Sequence, residues 1–293
     1  MKLYHIAKRF RVDRPDKFRL SKCDPAECYG LTVDKHEAQI MLAEGIERLT
    51  DLQQRLYAED RWSVLIVLQA MDAAGKDSTI KHVMTGLNPQ GVEVHSFKQP
   101  SAEELRHDFL WRVAQRLPTS GRIGIFNRSH YEEVLTVRIH KDLLEQQKLP
   151  GRLVGKDIWR QRFDDIRAFE RHLVRNGTLV LKFFLNLSKE EQRRRFLDRI
   201  DQPAKRWKFS MDDIETRKLW PKYMAAYEEM IRETSTPEAP WFVVPADHKW
   251  FTRMVVAGAL VQEMDALDLQ YPKVAGKALK ELRKVEKVLK SEK

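Results

Sequence analysis

Hydrophobic and polar positions follow two rhythms along this chain. Short apolar runs fall at residues 64–68, 92–97, 123–126, 179–187 and 241–244. Runs of this length, rich in Val, Ile, Leu and Phe, predict buried strands. Between them apolar residues recur at spacings of three and four, as on helices with one buried side. The first helix is predicted over 34–57, with Ile40, Leu42, Ile46, Leu49, Leu52 and Leu56 inward. It follows an irregular polar lead-in to about Gly30, and residues 1–60 read as an appended layer. Further helices start near Ser78, at the capping box Ser101-x-x-Glu104, over 157–175 up to Asn176-Gly177, and at a second capping box, Ser188-x-x-Glu191.

Strands that alternate with helical segments imply an α/β protein: a parallel five-stranded sheet, right-handed crossovers and helices on both faces. Ligands of such sheets bind at the carboxyl ends of the strands. Three segments fall there: 69–76, 127–133 and a basic insertion after the fourth strand. No internal repeat or Gly/Ser linker interrupts the pattern. The expected organisation is one domain over 1–293, with an N-terminal extension (1–60), a lid at about 189–222 and a basic C-terminal helix (273–293).

Composition narrows the classes. A chain of 293 residues, 42% apolar, can bury a sizeable core. No apolar run is long enough to span a membrane, and the start Met1-Lys2-Leu3-Tyr4-His5 lacks a signal-peptide pattern, so a cytoplasmic location is expected. Cys23 and Cys28 have no companion His or Cys cluster and read as free thiols. The net charge of +10 attracts polyanions: nucleic acid, anionic membrane or a phosphorylated substrate. Part of it lies in the tail 273–293, where Ala278, Leu282, Val285 and Leu289 form an apolar side that would pack on the body or on another subunit.

The chemistry begins at Gln69-Ala70-Met71-Asp72-Ala73-Ala74-Gly75-Lys76-Asp77. A Gly-Lys pair at a strand-to-helix turn holds phosphate with a lysine ammonium and helix N-terminal N–H groups. It is not a regular P-loop, because Ala70 stands where glycine is wanted and Asp77 where Ser or Thr is wanted. Asp72 and Asp77 imply a cation between them and the phosphates, most simply Mg²⁺. Asp77 reads equally as an acid favoured at a helix start. After the third strand, Arg128 offers a planar fork for phosphate oxygens, and Glu132 or Glu133 could supply the metal-binding acid absent at Asn127. His130 reads as a structural hydrogen-bonding residue. The insertion carries eleven Lys/Arg against seven Asp/Glu over 189–222, as a lid closing on phosphoryl groups would. Trp207 and Phe209 read as lid packing.

Together with Gly86-Leu87-Asn88-Pro89-Gln90-Gly91-Val92, Phe126-Asn127-Arg128-Ser129-His130-Tyr131-Glu132-Glu133-Val134 and Lys205-Arg206-Trp207-Lys208-Phe209, the loop resembles the polyphosphate kinase 2 family over most of residues 60–270. The resemblance implies a P-loop kinase-like fold with a helical lid. It implies Mg²⁺-dependent, reversible phosphoryl transfer from inorganic polyphosphate to nucleotides, with Mn²⁺ an alternative metal, and assembly as a homodimer or homotetramer. Asn127, where many members carry Asp, is similar to the subgroup acting on both AMP and ADP, giving ADP and ATP. Carried over, the catalytic residues are Asp72, Lys76, Arg128 and Glu133, with Asp72 and Glu133 as the metal pair. The nucleotide side is Asn88, Pro89, Phe97, Asn127 and Glu132. Polyphosphate falls to Ala73, Ala74, Gly75, Lys76, Asp77, Ser78, Arg193, Arg199, Lys205, Arg206 and Lys208. No membrane and no specific nucleic acid are expected as partners. The rival readings are an ATP-dependent nucleoside or nucleotide kinase and a basic nucleic-acid-binding protein, the latter leaving Asp72 and Asp77 unexplained.

Overall fold

The computed structural model of the chain describes residues 6–29, 31 and 35–292. The expected helix start at Asp34, the boundary at Gly30 and the last tail residue, Lys293, lie outside the described residues. The strands are β1 (Ser63–Gln69), β2 (Val92–Ser96), β3 (Ile123–Asn127), β4 (Thr178–Asn186) and β5 (Trp241–Pro245). The helices before β3 are α1 (Lys35–Glu59), α2 (Lys76–Val83) and α3 (Trp111–Ala114). Between β3 and β4 lie α4 (Thr136–Ile139), α5 (Lys141–Gln146) and α6 (Ile158–Arg175). Then come α7 (Lys189–Asp201), α8 (Met211–Lys218) and α9 (Trp220–Thr234), with α10 (Lys249–Asp265) and α11 (Gly276–Ser291) after β5.

All five strands are parallel, in the order β2-β3-β1-β4-β5. Central strands covered on both faces need no polar alternation, which is why β1 is buried throughout. Its Val64, Ile66 and Leu68 join one core with Leu49, Leu52 and Leu56 of α1 and much of α10. Leu65 and Val67 join the other, with Phe163 and Ile166 of α6 and Tyr227 and Met230 of α9. Each such side chain contributes about 1.5–3 kcal/mol when fully buried.

The N-terminal segment is more than an appended layer: α1 packs along α10 as half of one helical layer. Ile40, expected inward, is 48% exposed. Upstream, Val12 N donates to Trp241 O at 2.9 Å beside an antiparallel bridge from Arg11 to Phe242, covering the open edge of β5. The Ser101 capping box forms reciprocally, with Glu104 N on Ser101 Oγ and Ser101 N on Glu104 Oε2, yet it opens only a 3₁₀ turn over Glu104–Arg106. The Asp108 carboxylate then accepts from Leu110 N and starts a new turn, so the α-helix begins only at Trp111. The Ser188 box forms by half: Glu191 N donates to Ser188 Oγ, while Ser188 N goes to Asp247 beyond β5. The tail forms α11, but every described residue from 272 onward is exposed, including Leu282, Val285 and Leu289, so it does not pack on the body of its own chain. No helix among the described residues is long and apolar enough to cross a membrane.

Candidate active site

The register of β1 against β3 sets Leu68 opposite Asn127, and Arg128 N donates to Leu68 O at 3.1 Å. The loops leaving these two strands therefore run side by side at the carboxyl edge of the sheet. Arg128 Nη2 donates to Asp72 Oδ1 at 2.7 Å, and Asn127 Nδ2 donates to Asp77 Oδ1 at 2.7 Å. Lys76 folds back over its own loop, Nζ on Ala70 O at 2.9 Å. Ser78 Oγ accepts from Arg253 of α10 at 2.9 Å. The first-turn N–H groups of α2 have no intrahelical acceptor and remain available to an anion.

Three residues here are left-handed: Gly75 at φ 103°, and Ala73 and Arg128, each at φ 63°. Glycine takes this conformation freely, whereas Ala73 and Arg128 each cost about 1–3 kcal/mol and need outside contacts to hold them. For the first loop Arg195 of α7 supplies these. Its Nη1 donates to Ala73 O at 3.0 Å and Ala74 O at 2.9 Å, and its Nη2 to Ala246 O at 2.6 Å. Loop carbonyls thus turn inward to a buried guanidinium.

The electrostatics agree with an anion site. Burial pushes the Lys76 ammonium down to about 8, helped by Arg128 and opposed by Asp72, Glu132 and Asp77. Arg128 is pushed up, chiefly by Glu132 and then, against burial, by Asp72. Asp213 of α8 is pushed up to about 6 by burial and by Asp72, and restrained by Arg199, Arg128 and Lys76. An acid from the insertion therefore faces the loops, a residue the sequence hid inside a basic stretch.

Not every expected residue arrives. Glu133 is buried away from Asp72: its Oε1 pairs with Arg162 at 3.1 Å, its Oε2 accepts from Gln147 at 2.7 Å, and burial pushes its carboxyl up. Its neighbour Glu132 is the acid felt by Lys76 and Arg128. Asn88 and Pro89 precede β2, at the amino edge of the parallel sheet, while the loops lie at the carboxyl edge. Gln53 of α1 holds both main-chain groups of Asn88, so this pair is a structural turn away from the site, correcting the expected acceptor contact. Phe97 lies at the correct edge but is buried, edge-to-face on Phe126 and beneath Arg112.

In the insertion, Arg193 is exposed and paired with Glu190, and Arg199 pairs with Asp213 at 3.4 Å. Lys205, Arg206 and Lys208 lie on an exposed 3₁₀ segment, Pro203–Lys208. Trp207 is 77% exposed and is not packed into the lid. In the sequence Arg195 stands out only as part of the basic run Arg193-Arg194-Arg195, and Asp213, Gln192 and Arg253 do not stand out at all. The one signal was helical phase, since Gln192, Arg195 and Phe196 share a side of α7 by spacings of three and four.

Beneath the second loop lies a buried polar network. Lys182, in the middle of β4, donates to Glu170 Oε2 at 2.5 Å, Thr234 O at 2.7 Å and Tyr131 Oη at 3.0 Å, and Tyr131 Oη donates to Glu170 Oε1 at 2.6 Å. Burial opposes ionisation of Glu170, but Lys182 and the nearby His130 together outweigh it and hold the carboxyl below its ordinary range. His130 is buried with Nε2 3.7 Å from Glu170, beyond hydrogen-bond reach.

The model of the polyphosphate kinase 2 family matches residues 32–272, which leaves α11 outside the match. The chain is 50% identical over 276 residues to an ADP-polyphosphate phosphotransferase of Rhodopseudomonas palustris, covering 94% of this chain and 95% of that one. It is 48% identical over 265 residues to an AMP/ADP-polyphosphate phosphotransferase of Meiothermus ruber, covering 90% and 95%. Its fold is similar to the crystal structure of a polyphosphate kinase 2 from Arthrobacter aurescens TC1, with a TM-score of 0.87, 38% identity and 96% of each chain covered.

Proposed function

Because the chain belongs to the polyphosphate kinase 2 family, we propose that it transfers the terminal phosphoryl group of inorganic polyphosphate reversibly to AMP and ADP, giving ADP and ATP. The observation that carries this reading is the meeting of the two loops. Arg128 on Asp72 and the half-buried Lys76 concentrate charge where two anionic phosphate chains would approach end to end. The P–O bond to the donor chain breaks as one to the nucleotide phosphate oxygen forms. Alignment and charge neutralisation by Lys76, Arg128 and the α2 N–H groups carry most of the catalysis. Lys205, Arg206 and Lys208 offer the exposed charge a polymer without bases or sugars needs, so its affinity falls as salt rises.

The carboxylates fit a divalent cation, Mg²⁺ or Mn²⁺. Asp72 and Asp213 repel one another, with Glu132 close to the same cations, and a metal would relieve that repulsion. No group of three His, Cys, Asp or Glu forms a cage among the described residues, so an ion here would have to take further ligands from water and phosphate oxygens. An ion held by these carboxylates would supply further neutralisation of phosphate charge. Asp72 with Glu132 and Asp213 is the acid set, in place of Asp72 with Glu133. Use of nucleotide substrates supports a cytoplasmic location.

The deciding assay is ATP-free: purified chain, polyphosphate and Mg²⁺ with AMP or ADP as separate acceptors. Formation of ADP and ATP is expected, and no product from folded protein would refute the assignment. Its pH dependence is also set. Lys76 must be charged, so kcat/KM for polyphosphate declines as pH rises through about 8. Asp213 ionises only above about 6, so an acidic limb appears there and disappears in Asp213→Asn. A flat profile from pH 5 to 9 would contradict both.

The uncovered apolar side of α11 supports assembly of identical subunits through this helix. Light scattering should give an oligomer for the full chain and a smaller species for a chain ending at residue 272. Equal subunit numbers would remove α11 from the interface.

A further inference from the structure

The phosphate loop and the insertion are joined by a neutral side chain. Gln192 of α7 is fully buried, and both ends of its amide are engaged. Its Nε2 donates to the main-chain oxygen of Asp72 at 2.9 Å, and its Oε1 accepts from Arg217 Nη1 of α8 at 3.0 Å. Arg217 Nη1 also donates to Lys189 O at the start of α7. One turn along α7, Arg195 grips the next two loop carbonyls. Beyond that point the insertion faces solvent, with Leu197, Ile200 and Met211 exposed. The opening turns of α7 therefore belong to the support of the loop, and α8 is seated on them through Arg217. Asp213, one helical turn before Arg217, is on the same helix and senses Asp72.

We propose that Gln192 is a positioning residue that couples the seating of α8 to the orientation of Asp72. With Arg217 on its oxygen, the amide is held with its N–H₂ group on Asp72 O, and the Asp72 carboxylate meets Arg128. When α8 lifts, Gln192 keeps a buried acceptor without a donor. Its amide is then free to turn, and the Asp72 main chain loses its anchor. The coupling passes through contiguous hydrogen bonds and needs no long-range movement of the sheet. An open insertion thus leaves the loop less ordered, and a seated one completes it. The activity readout rests on the proposed phosphoryl transfer; the structural readout does not.

The test uses the full chain with Gln192→Leu, Arg217→Met, both together, and Arg217→Lys. Turnover is measured with ADP and polyphosphate, and hydrogen exchange at the amides of residues 72–75 is followed without substrates. Each of the two single substitutions is expected to lower kcat about tenfold with KM for ADP within about twofold. The double variant is expected to be no worse than the poorer single one, since both break the same chain of contacts. Arg217→Lys, which keeps a donor for Gln192, retains most of kcat. Loop exchange rises in both single variants. Additive losses, or wild-type kcat and exchange in Arg217→Met, overturn the coupling. If Gln192→Leu fails to fold, Arg217→Met decides alone, because Arg217 is only half-buried. If the wild-type chain turns over no polyphosphate, the proposed function fails, and loop exchange still decides the coupling.

Discussion

Lys76→Ala is expected to lower kcat about a thousandfold while leaving the fold intact, as loss of a preorganised charge at a transferring phosphoryl group does. At about 1.4 kcal/mol per decade, that is about 4 kcal/mol of transition-state stabilisation. The half-buried lysine lies over its own loop, where burial and Arg128 both act on its ammonium. It is held there at a cost: its proton affinity is lowered to about 8 from an ordinary 10.5. For a base lowered in this way the cost is complete below about pH 8 and is relieved as pH rises towards 10.5. Removing the charge should therefore leave thermal stability at neutral pH unchanged or raised. Steady-state turnover and a melting curve on the same preparation check both halves. Near wild-type kcat would show that Lys76 does not meet the transferred group. A collapse of the fold would show that its bond to Ala70 O is structural. Lys76→Arg should not restore activity, since a planar fork cannot replace a compact ammonium in this loop.

The second large effect is on stability. Lys182→Met should destabilise the chain by about 3–5 kcal/mol, because it leaves Glu170 buried and charged without its partner. The methionine fills most of the lysine's volume, so lost packing contributes little. Thr234 O and Tyr131 Oη lose a donor at the same time. Exchanging both members, Lys182→Met with Glu170→Gln, removes the uncompensated charge and should recover a good part of the loss, since neutral replacements of buried pairs are often tolerated. Denaturant unfolding measures this directly. A single variant within about 1 kcal/mol of wild type would mean that Glu170 takes up a proton at little cost. Turnover should also fall in the single variant, because Tyr131 anchors the loop that carries Arg128 to this network.

Much of the framework was legible locally. Apolar runs located all five strands to within two residues; four are buried, since a strand covered on both faces has nothing polar to alternate with, whereas the edge strand β2, also expected to be buried, is largely exposed. Gly75-Lys76 and Asn176-Gly177 were readable because turns that need φ > 0 select glycine; Gly75 and Gly177 lie at 103° and 84°. Lys182 sits inside the apolar run 179–187, which reads simply as a strand; its partner Glu170 is visible only in the fold. Asn88 and Pro89 were legible as a motif but misread in place. A motif quoted beside its neighbours in sequence gives no account of which edge of the sheet it occupies, and these two precede a strand.

Glu132 and Glu133 mark the limit. They are adjacent in the 3₁₀ turn His130–Glu133, where successive side chains diverge by about a third of a revolution. One faces Arg128 and the other Arg162, and the phase of a four-residue turn is fixed by packing on α6. Likewise Asp213 and Gln192 reach the phosphate loop only because α7 and α8 fold back over the sheet edge. By itself the sequence determined what is encoded in neighbours along the chain: periodicity, turn chemistry, the phosphate loop and an excess of positive charge. Only the tertiary structure decided which acid faces which cation, because ion pairs and hydrogen bonds act over a few ångströms between residues that the chain separates by tens of positions.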